Sequence, residues 1–271
     1  MGDEVGEHVA AAAPTPSRTS QVIALSRCGL VRPHSPDGDP EAQQHLCTGM
    51  RPLPDGWARP DLAARTQFFD QQLLDAISGG VRQIVILGAG YDDRALRFRS
   101  PGVRFFEVDH PETQHDKAQR LEAFQAGDEE LTLAPADFRH DDVDAVLASC
   151  GHDAASSSLF ICEGVLVYLD QPTIIGLLAA LRSRAEADST LAASLATHRA
   201  GLDSEQVTLT ANLRRPTSTT EPWRTILPRG EHLALVNQAG WQIGHAVDAA
   251  ELDADVAPGR SLFVTARPAP A

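Results

Sequence analysis

Arg82-Gln-Ile-Val-Ile-Leu-Gly-Ala-Gly-Tyr-Asp-Asp-Arg94 is a short apolar run that passes straight into a glycine turn. Gln83 to Leu87 has the β-branched and apolar composition of a central strand covered on both faces. Gly88 and Gly90 let the backbone turn sharply and come close to a ligand without Cβ interference. Asp92-Asp93-Arg94 then opens a helix whose free N–H groups point back at the turn. A strand, a glycine turn and a helix start in this order make a place to hold a nucleotide-like cofactor.

The glycines alone do not choose the cofactor, and they are equally compatible with a purely structural turn. A dinucleotide fingerprint would place glycine or alanine where Asp93 stands, because a small uncharged residue there suits helix packing and pyrophosphate. Asp92 and Asp93 would repel a diphosphate. A cationic cofactor without phosphate fits better, and S-adenosyl-L-methionine, with its sulfonium and ammonium groups, is such a molecule.

At 271 residues the chain suits one large α/β domain. Its net charge of −14 gives no overall basic character to neutralise a phosphate backbone, so nucleic acid is not the expected partner. Cys28, Cys47, Cys150 and Cys162 are far apart and form no C-x-x-C pair, which speaks against a zinc site or disulfide framework and for reduced cysteines. No stretch is long and apolar enough to span a membrane, and the acidic first residues differ from a basic secretory leader. The expectation is a cytoplasmic protein acting on a small molecule, with no metal and an oligomeric state left open.

Along the chain, residues 1–16 read as disordered, 17–80 as a helical cap, 81–267 as the cofactor-binding core and 268–271 as a loose tail. In the cap, Ser17 to Ser20 starts a helix to Cys28, Glu41 to Met50 forms a short one, and Asp61 caps a long one over Leu62 to Ile77. Strands are predicted over 83–87, 103–108, 131–135, 158–162, 190–195, 241–246 and 261–266. Helices fall between them over 111–126, 142–149, 171–185, 203–214 and 231–239. This alternation predicts an α/β, Rossmann-like fold with a seven-stranded, mostly parallel sheet and helices on both faces.

Ligands in such sheets bind beyond the carboxyl ends of strands, so the residues closing each strand are the candidates. Asp109 ends the second strand, 19 residues after Gly90, and can accept from a ribose diol or cap the next helix. Glu107, on the same strand face, is an alternative to it. Asp137 and Phe138 follow the third strand, where a carboxylate and a backbone N–H can meet an adenine edge or start a helix. Glu163 sits inside the apolar run Leu159-Phe-Ile-Cys-Glu-Gly-Val-Leu-Val-Tyr-Leu169 and needs a cationic or hydrogen-bonded partner, which a bound ammonium or sulfonium would supply.

Leu87-Gly-Ala-Gly-Tyr-Asp-Asp-Arg94, Phe106-Glu-Val-Asp-His-Pro111, Ala136-Asp-Phe-Arg139 and Cys162-Glu-Gly-Val-Leu-Val-Tyr168 together resemble the ordered motifs of the leucine carboxyl methyltransferase family, which includes bacterial polyketide O-methyltransferases. The likeness reaches upstream to Ala64-Arg-Thr-Gln-Phe-Phe69 and downstream to Asn212-Leu-Arg-Arg215 and Ala239-Gly-Trp241, covering roughly residues 17–267. It implies the class I methyltransferase fold and dependence on S-adenosyl-L-methionine. By resemblance, Arg65 pairs with the cofactor carboxylate, Gly88 and Gly90 border its methionine part, Asp109 takes the ribose, Asp137 and Phe138 the adenine, and Glu163 the amino group. Two departures stand out: the family has threonine where this chain has Asp93, and the proline-rich 31–60 differs from the usual cap.

Methyl transfer from a sulfonium is an in-line displacement, for which the enzyme aligns three atoms in a dry pocket. A carboxylate acceptor is already ionised and needs no base. A phenol or alcohol would need one, for which His34, His45 and His110 are the candidates, so no catalytic residue is assigned. Tyr168 and Arg214 or Arg215 could orient an anionic substrate; core packing and a solvated helix face are their alternatives. The expected activity is small-molecule O-methylation, carboxylate favoured, in polyketide or other secondary metabolism. An NAD-dependent oxidoreductase and a non-catalytic protein that binds the same cofactor are the other classes.

Overall fold

The computed structural model describes residues 15–53, 61–124, 130–215 and 220–270. Most of the expected disordered start, the 54–60 part of the proline-rich loop, the last two residues of the 111–126 helix and Ala271 lie outside them. Among the described residues three helices precede the first strand: α1 (Arg18–Arg27), α2 (Ala42–Cys47) and α3 (Leu62–Ser78). Ser17 caps α1, its Oγ accepting from Ser20 N at 3.0 Å. Asp61 does not cap α3. Its backbone is already helical (φ −76°, ψ −7°), whereas a capping residue needs extended backbone to reach back to the first turn. The Asp61 carboxylate instead accepts from Ser261 Oγ at 3.2 Å.

The chain then runs β1 (Gln83–Leu87), α4 (Arg94–Arg97), β2 (Arg104–Asp109), α5 (Pro111–Ala123), β3 (Leu131–Pro135), α6 (Val143–Ser149) and β4 (Ser158–Cys162). A 3-10 turn at Leu166–Tyr168 leads to α7 (Gln171–Ser183), β5 (Thr190–His198), α8 (Ser204–Leu213), β6 (Leu227–Pro228), α9 (Arg229–Gln238), β7 (Trp241–Asp248), α10 (Ala249–Leu252) and β8 (Ser261–Pro268). The strand order is β3-β2-β1-β4-β5-β8-β7, parallel up to β5, with β8 antiparallel to both its neighbours. Among the described residues the sheet has eight strands rather than the expected seven, because the two-residue β6 pairs with the end of β5 off the main path. Two residues bounded by Pro228 carry no periodicity that a sequence could reveal.

Side chains of β1 divide the core. Val85 and Leu87 pack with Phe106, Phe160 and Leu178 on one face, while Ile84 and Ile86 pack with Phe105, Leu159 and Phe263 on the other. Phe68, Phe69 and Leu73 of α3 join the second cluster, so α3 is a layer of the sheet sandwich. α1 and α2 lie over the glycine turn, where Ala24 and Cys47 pack on Tyr91. The order reverses between β1 and β4, which makes the crevice beyond their carboxyl ends the place for a ligand.

Candidate functional site

A cavity of about 1260 Å³ opens at that crevice, and Arg65, Gly88, Gly90, Asp109, Asp137, Phe138, Glu163, Tyr168 and Arg214 all line it. Gly88 (φ 64°) and Gly90 (φ 51°) hold left-handed backbone, and both are crowded. A Cβ on Gly88 would lie 2.7 Å from Val165 Cβ, and one on Gly90 2.7 Å from Ser20 Cβ. The turn is therefore fixed by glycine twice over, through its dihedrals and through the approach of α1.

Asp109 accepts from Gly90 N and from His110 N, each at 2.6 Å. Burial pushes its carboxyl up, with the two backbone bonds opposing. Each oxygen keeps a lone pair for a further donor, the set a vicinal diol would meet. The alternative role as helix cap is taken by His110, whose ring accepts from Glu112 N. Glu107 is not free to substitute, being fully buried in an ion pair with Lys117 and pushed up to about 7 by burial against that pairing. Asp137 bonds Arg139 through its backbone N–H at 3.0 Å and its guanidinium at 3.2 Å. Phe138 beside it packs on the core.

Glu163 already has cationic partners. Its Oε1 lies 2.5 Å from Arg27 Nη2 and 2.9 Å from Arg65 Nε, and its Oε2 2.8 Å from Arg94 Nη1. Burial would raise its carboxyl, yet the guanidiniums of Arg27, Arg94 and Arg65 hold it well below the usual carboxylate range. The expected repulsion by Asp92 and Asp93 also needs correcting. Asp93 is bidentate to Arg32 at 2.9 and 2.7 Å and meets Arg97 Nε at 3.1 Å, while Asp92 pairs with Arg94 Nη1 at 2.5 Å. Both acids are spent on internal arginines, so the turn presents no bare negative charge and its charge does not by itself exclude a dinucleotide.

His34 is exposed and bonds Ser35 O, and His45 pairs with Asp39; neither lines the cavity. His110 does line it. So does His198, which sequence reading missed although it closes β5 by the same strand-end rule. Its Nδ1 is 2.8 Å from the Arg199 carbonyl and its Nε2 2.8 Å from Ser204 Oγ. A carbonyl can only accept, which puts the proton on Nδ1 and leaves Nε2 as the basic nitrogen. Arg27 was also missed, since nothing local ties a helix-end arginine to Glu163.

Toward the mouth, Arg199, Arg214, Arg224 and Arg260 come from four separate segments, and all are exposed lining residues. Among the described residues no carboxylate lies within ion-pair distance of any of them. Beside them, Tyr168 OH accepts from Arg215 Nη2 at 3.2 Å, and the Arg215 guanidinium stacks 4.3 Å over the Trp223 ring. Among the described residues, no helix is long and apolar enough to cross a membrane, and no group of three His, Cys, Asp or Glu could hold a metal ion.

A family model described as leucine carboxyl methyltransferase matches residues 31–182. A Streptomyces avermitilis protein to which S-adenosyl-L-methionine-dependent methyltransferase activity is ascribed is 33% identical over 231 residues, 78% of this chain and 75% of that protein. A Streptomyces coelicolor protein with the same ascription is 38% identical over 173 residues, and the chain spans 58% of itself and 60% of that relative. Solved structures share the fold: one of a Thermobifida fusca YX protein described as a methyltransferase superposes with TM-score 0.60 at 16% identity, covering 98% of this chain and 100% of the other. Magnesium protoporphyrin IX methyltransferase of Synechocystis, with SAH bound, gives TM-score 0.52 at 15% identity over 80% of this chain and 90% of that one.

Proposed function

Because the chain belongs to the leucine carboxyl methyltransferase family, we propose that it is an S-adenosyl-L-methionine-dependent O-methyltransferase of small molecules, with a carboxylate as favoured acceptor. The donor set fits that cofactor. Asp109 is braced to take the ribose diol, the Asp137–Phe138 turn borders the adenine end, and Gly88 to Gly90 flank the methionine part. Arg65 is our candidate for the carboxylate, and Glu163, whose Oε2 beyond its ion pair with Arg94 accepts no hydrogen bond among the described residues, is our candidate for the ammonium. When bound, the cofactor supplies an electrophilic methyl group on a sulfonium. At about 1260 Å³ the cavity exceeds the roughly 300–1,000 Å³ that holds one drug-sized ligand, so there is space for an acceptor beside the cofactor.

The observation that carries the carboxylate reading is the arginine mouth. A protein of net charge −14 would repel an anionic acceptor, yet four guanidiniums without carboxylate partners among the described residues stand at the entrance. They draw the anion in and hold it by charge-assisted bonds, leaving the ionised oxygen ready to attack without a base. A second reading, a phenol or alcohol acceptor, is favoured by His198, whose Nε2 has only a serine hydroxyl to release before it could take a proton.

Two measurements test this. Calorimetry with S-adenosylhomocysteine is expected to show affinity falling about tenfold or more in Arg65→Ala and Asp109→Ala, as charge-assisted contacts are lost; wild-type affinity in both would mean the cofactor lies elsewhere. Methyl transfer to a panel of carboxylic acids and phenols then separates the acceptors. Esters should form, with KM raised about tenfold and kcat little changed in Arg214→Ala and Arg260→Ala. Ether products lost in His198→Gln would select the second reading.

A further inference from the structure

Cys28 caps the end of α1 and Cys47 ends α2, and their Sγ atoms are 3.4 Å apart. The pair sits against the cofactor cavity: Cys47 packs on Tyr91 of the glycine turn, and Cys28 directly follows Arg27, which grips Glu163. Among the described residues, the polar partners of the two sulfurs besides each other are the Ala24 and Gln43 carbonyls and the Gln43 amide, at 3.5, 3.7 and 3.9 Å. This is no metal-ligand set, and among the described residues no cluster could hold a metal there. Cys150 and Cys162 take no part in it.

We propose that Cys28 and Cys47 form an oxidative modification site, a thiol pair that a hydroperoxide closes to a disulfide stapling α1 to α2 beside the cofactor cavity. The Cys28 thiolate attacks the peroxide, breaking the O–O bond to give a sulfenic acid and hydroxide. The Cys47 sulfur then attacks the Cys28 sulfur, the S–O bond breaks and the oxygen leaves as water, so two thiols and one hydrogen peroxide give one disulfide and two waters. The roles follow from the surroundings. Cys28 is half-buried and Cys47 buried, so the oxidant meets Cys28 first. The Cys47 contact and the Arg32 guanidinium also hold the Cys28 thiol below its ordinary value, while the same contact and burial push Cys47 up. Bond formation draws the sulfurs from 3.4 Å to roughly 2.05 Å. The end of α1 shifts with them, carrying Arg27 on Glu163. Only this consequence rests on the cofactor reading above.

The full chain treated with one equivalent of hydrogen peroxide, alkylated and digested before Asp37 and Asp39 without reduction, is expected to give a linked Cys28–Cys47 peptide pair. Before alkylation the intact mass should fall by about 2 Da, the two hydrogens lost, and Cys150 and Cys162 should then alkylate once the chain is unfolded. Cys47→Ser should instead trap a dimedone-reactive sulfenic acid on Cys28, and Cys28→Ser should give no product at Cys47. Oxidation at Cys150 with Cys28 and Cys47 still alkylated would overturn the site. Calorimetry adds the functional readout: oxidised wild type should bind S-adenosylhomocysteine about threefold or more weakly, reversed by dithiothreitol, with Cys47→Ser unresponsive. Equal affinities of the two forms would refute the coupling. Binding by neither form would refute the cofactor assignment while leaving the mapped disulfide intact.

Discussion

Glu163 shows what one residue discloses and conceals. An acid inside an apolar run announces that a positive partner exists, and the partners are Arg27, Arg65 and Arg94 from three distant segments. Removing its charge leaves Arg27, Arg65 and Arg94 one buried carboxylate short, so Glu163→Gln is expected to lower unfolding free energy by about 3 kcal/mol. The folded-state carboxyl is held below its ordinary 4.5, so its stabilisation is full above that value and drains away as pH falls through the folded value. The gap in urea midpoint between wild type and Glu163→Gln should therefore be widest near pH 7 and shrink below about pH 4.5; a constant gap would show that the variant acts through packing. Asp93 teaches the converse. Its position beside Asp92 looked like a bar to phosphate, and the fold spends it on Arg32 and Arg97 instead.

Elements with a strong period were legible, and those held by contacts were not. β1 and β4 fall where composition put them, because a strand buried on both faces is mostly apolar; the half-buried edge strand β3 also keeps its expected bounds. The helix expected after the glycine turn is only the four-residue α4. The turn owes its shape to α1 as much as to β1, since Ser20 lies where a Gly90 side chain would go. Gly90→Ala is thus expected to destabilise by about 2 kcal/mol or more, from left-handed backbone plus the clash. Adding Ser20→Gly should recover only the steric part. Full recovery in thermal melts would show that the dihedral carries no strain; none would show that α1 does not bear on the turn.

At the scale of the molecule, two buried histidines, His152 and His232, do not line the cavity. His152 bonds Ser158 and Arg184 beneath the sheet, and His232 Nε2 donates to Ala196 O at 2.7 Å. Burial lowers both to about 4 from an ordinary 6.5. Between those values the unfolded chain binds more protons than the folded one, so stability is full above about pH 6.5 and falls as pH drops toward 4. For His232 alone the loss at pH 5 is about 2 kcal/mol. Urea unfolding at pH 7.5 and 5 should show it in wild type and a smaller loss in His232→Gln, whose amide can keep the bond to Ala196; equal losses would exonerate the histidine.

The strand–turn–helix unit, the βα alternation and the strand-end acids Asp109, Asp137 and Glu163 are legible in the chain, because they follow from local periodicity, backbone sterics and the rule that ligands sit at strand tips. Which charges neutralise one another, which histidines reach the cavity, and that four arginines share its mouth emerge only once distant segments pack together. Those outcomes depend on contacts between segments up to 136 residues apart, as between Arg27 and Glu163, and no spacing along a chain encodes a distance in space.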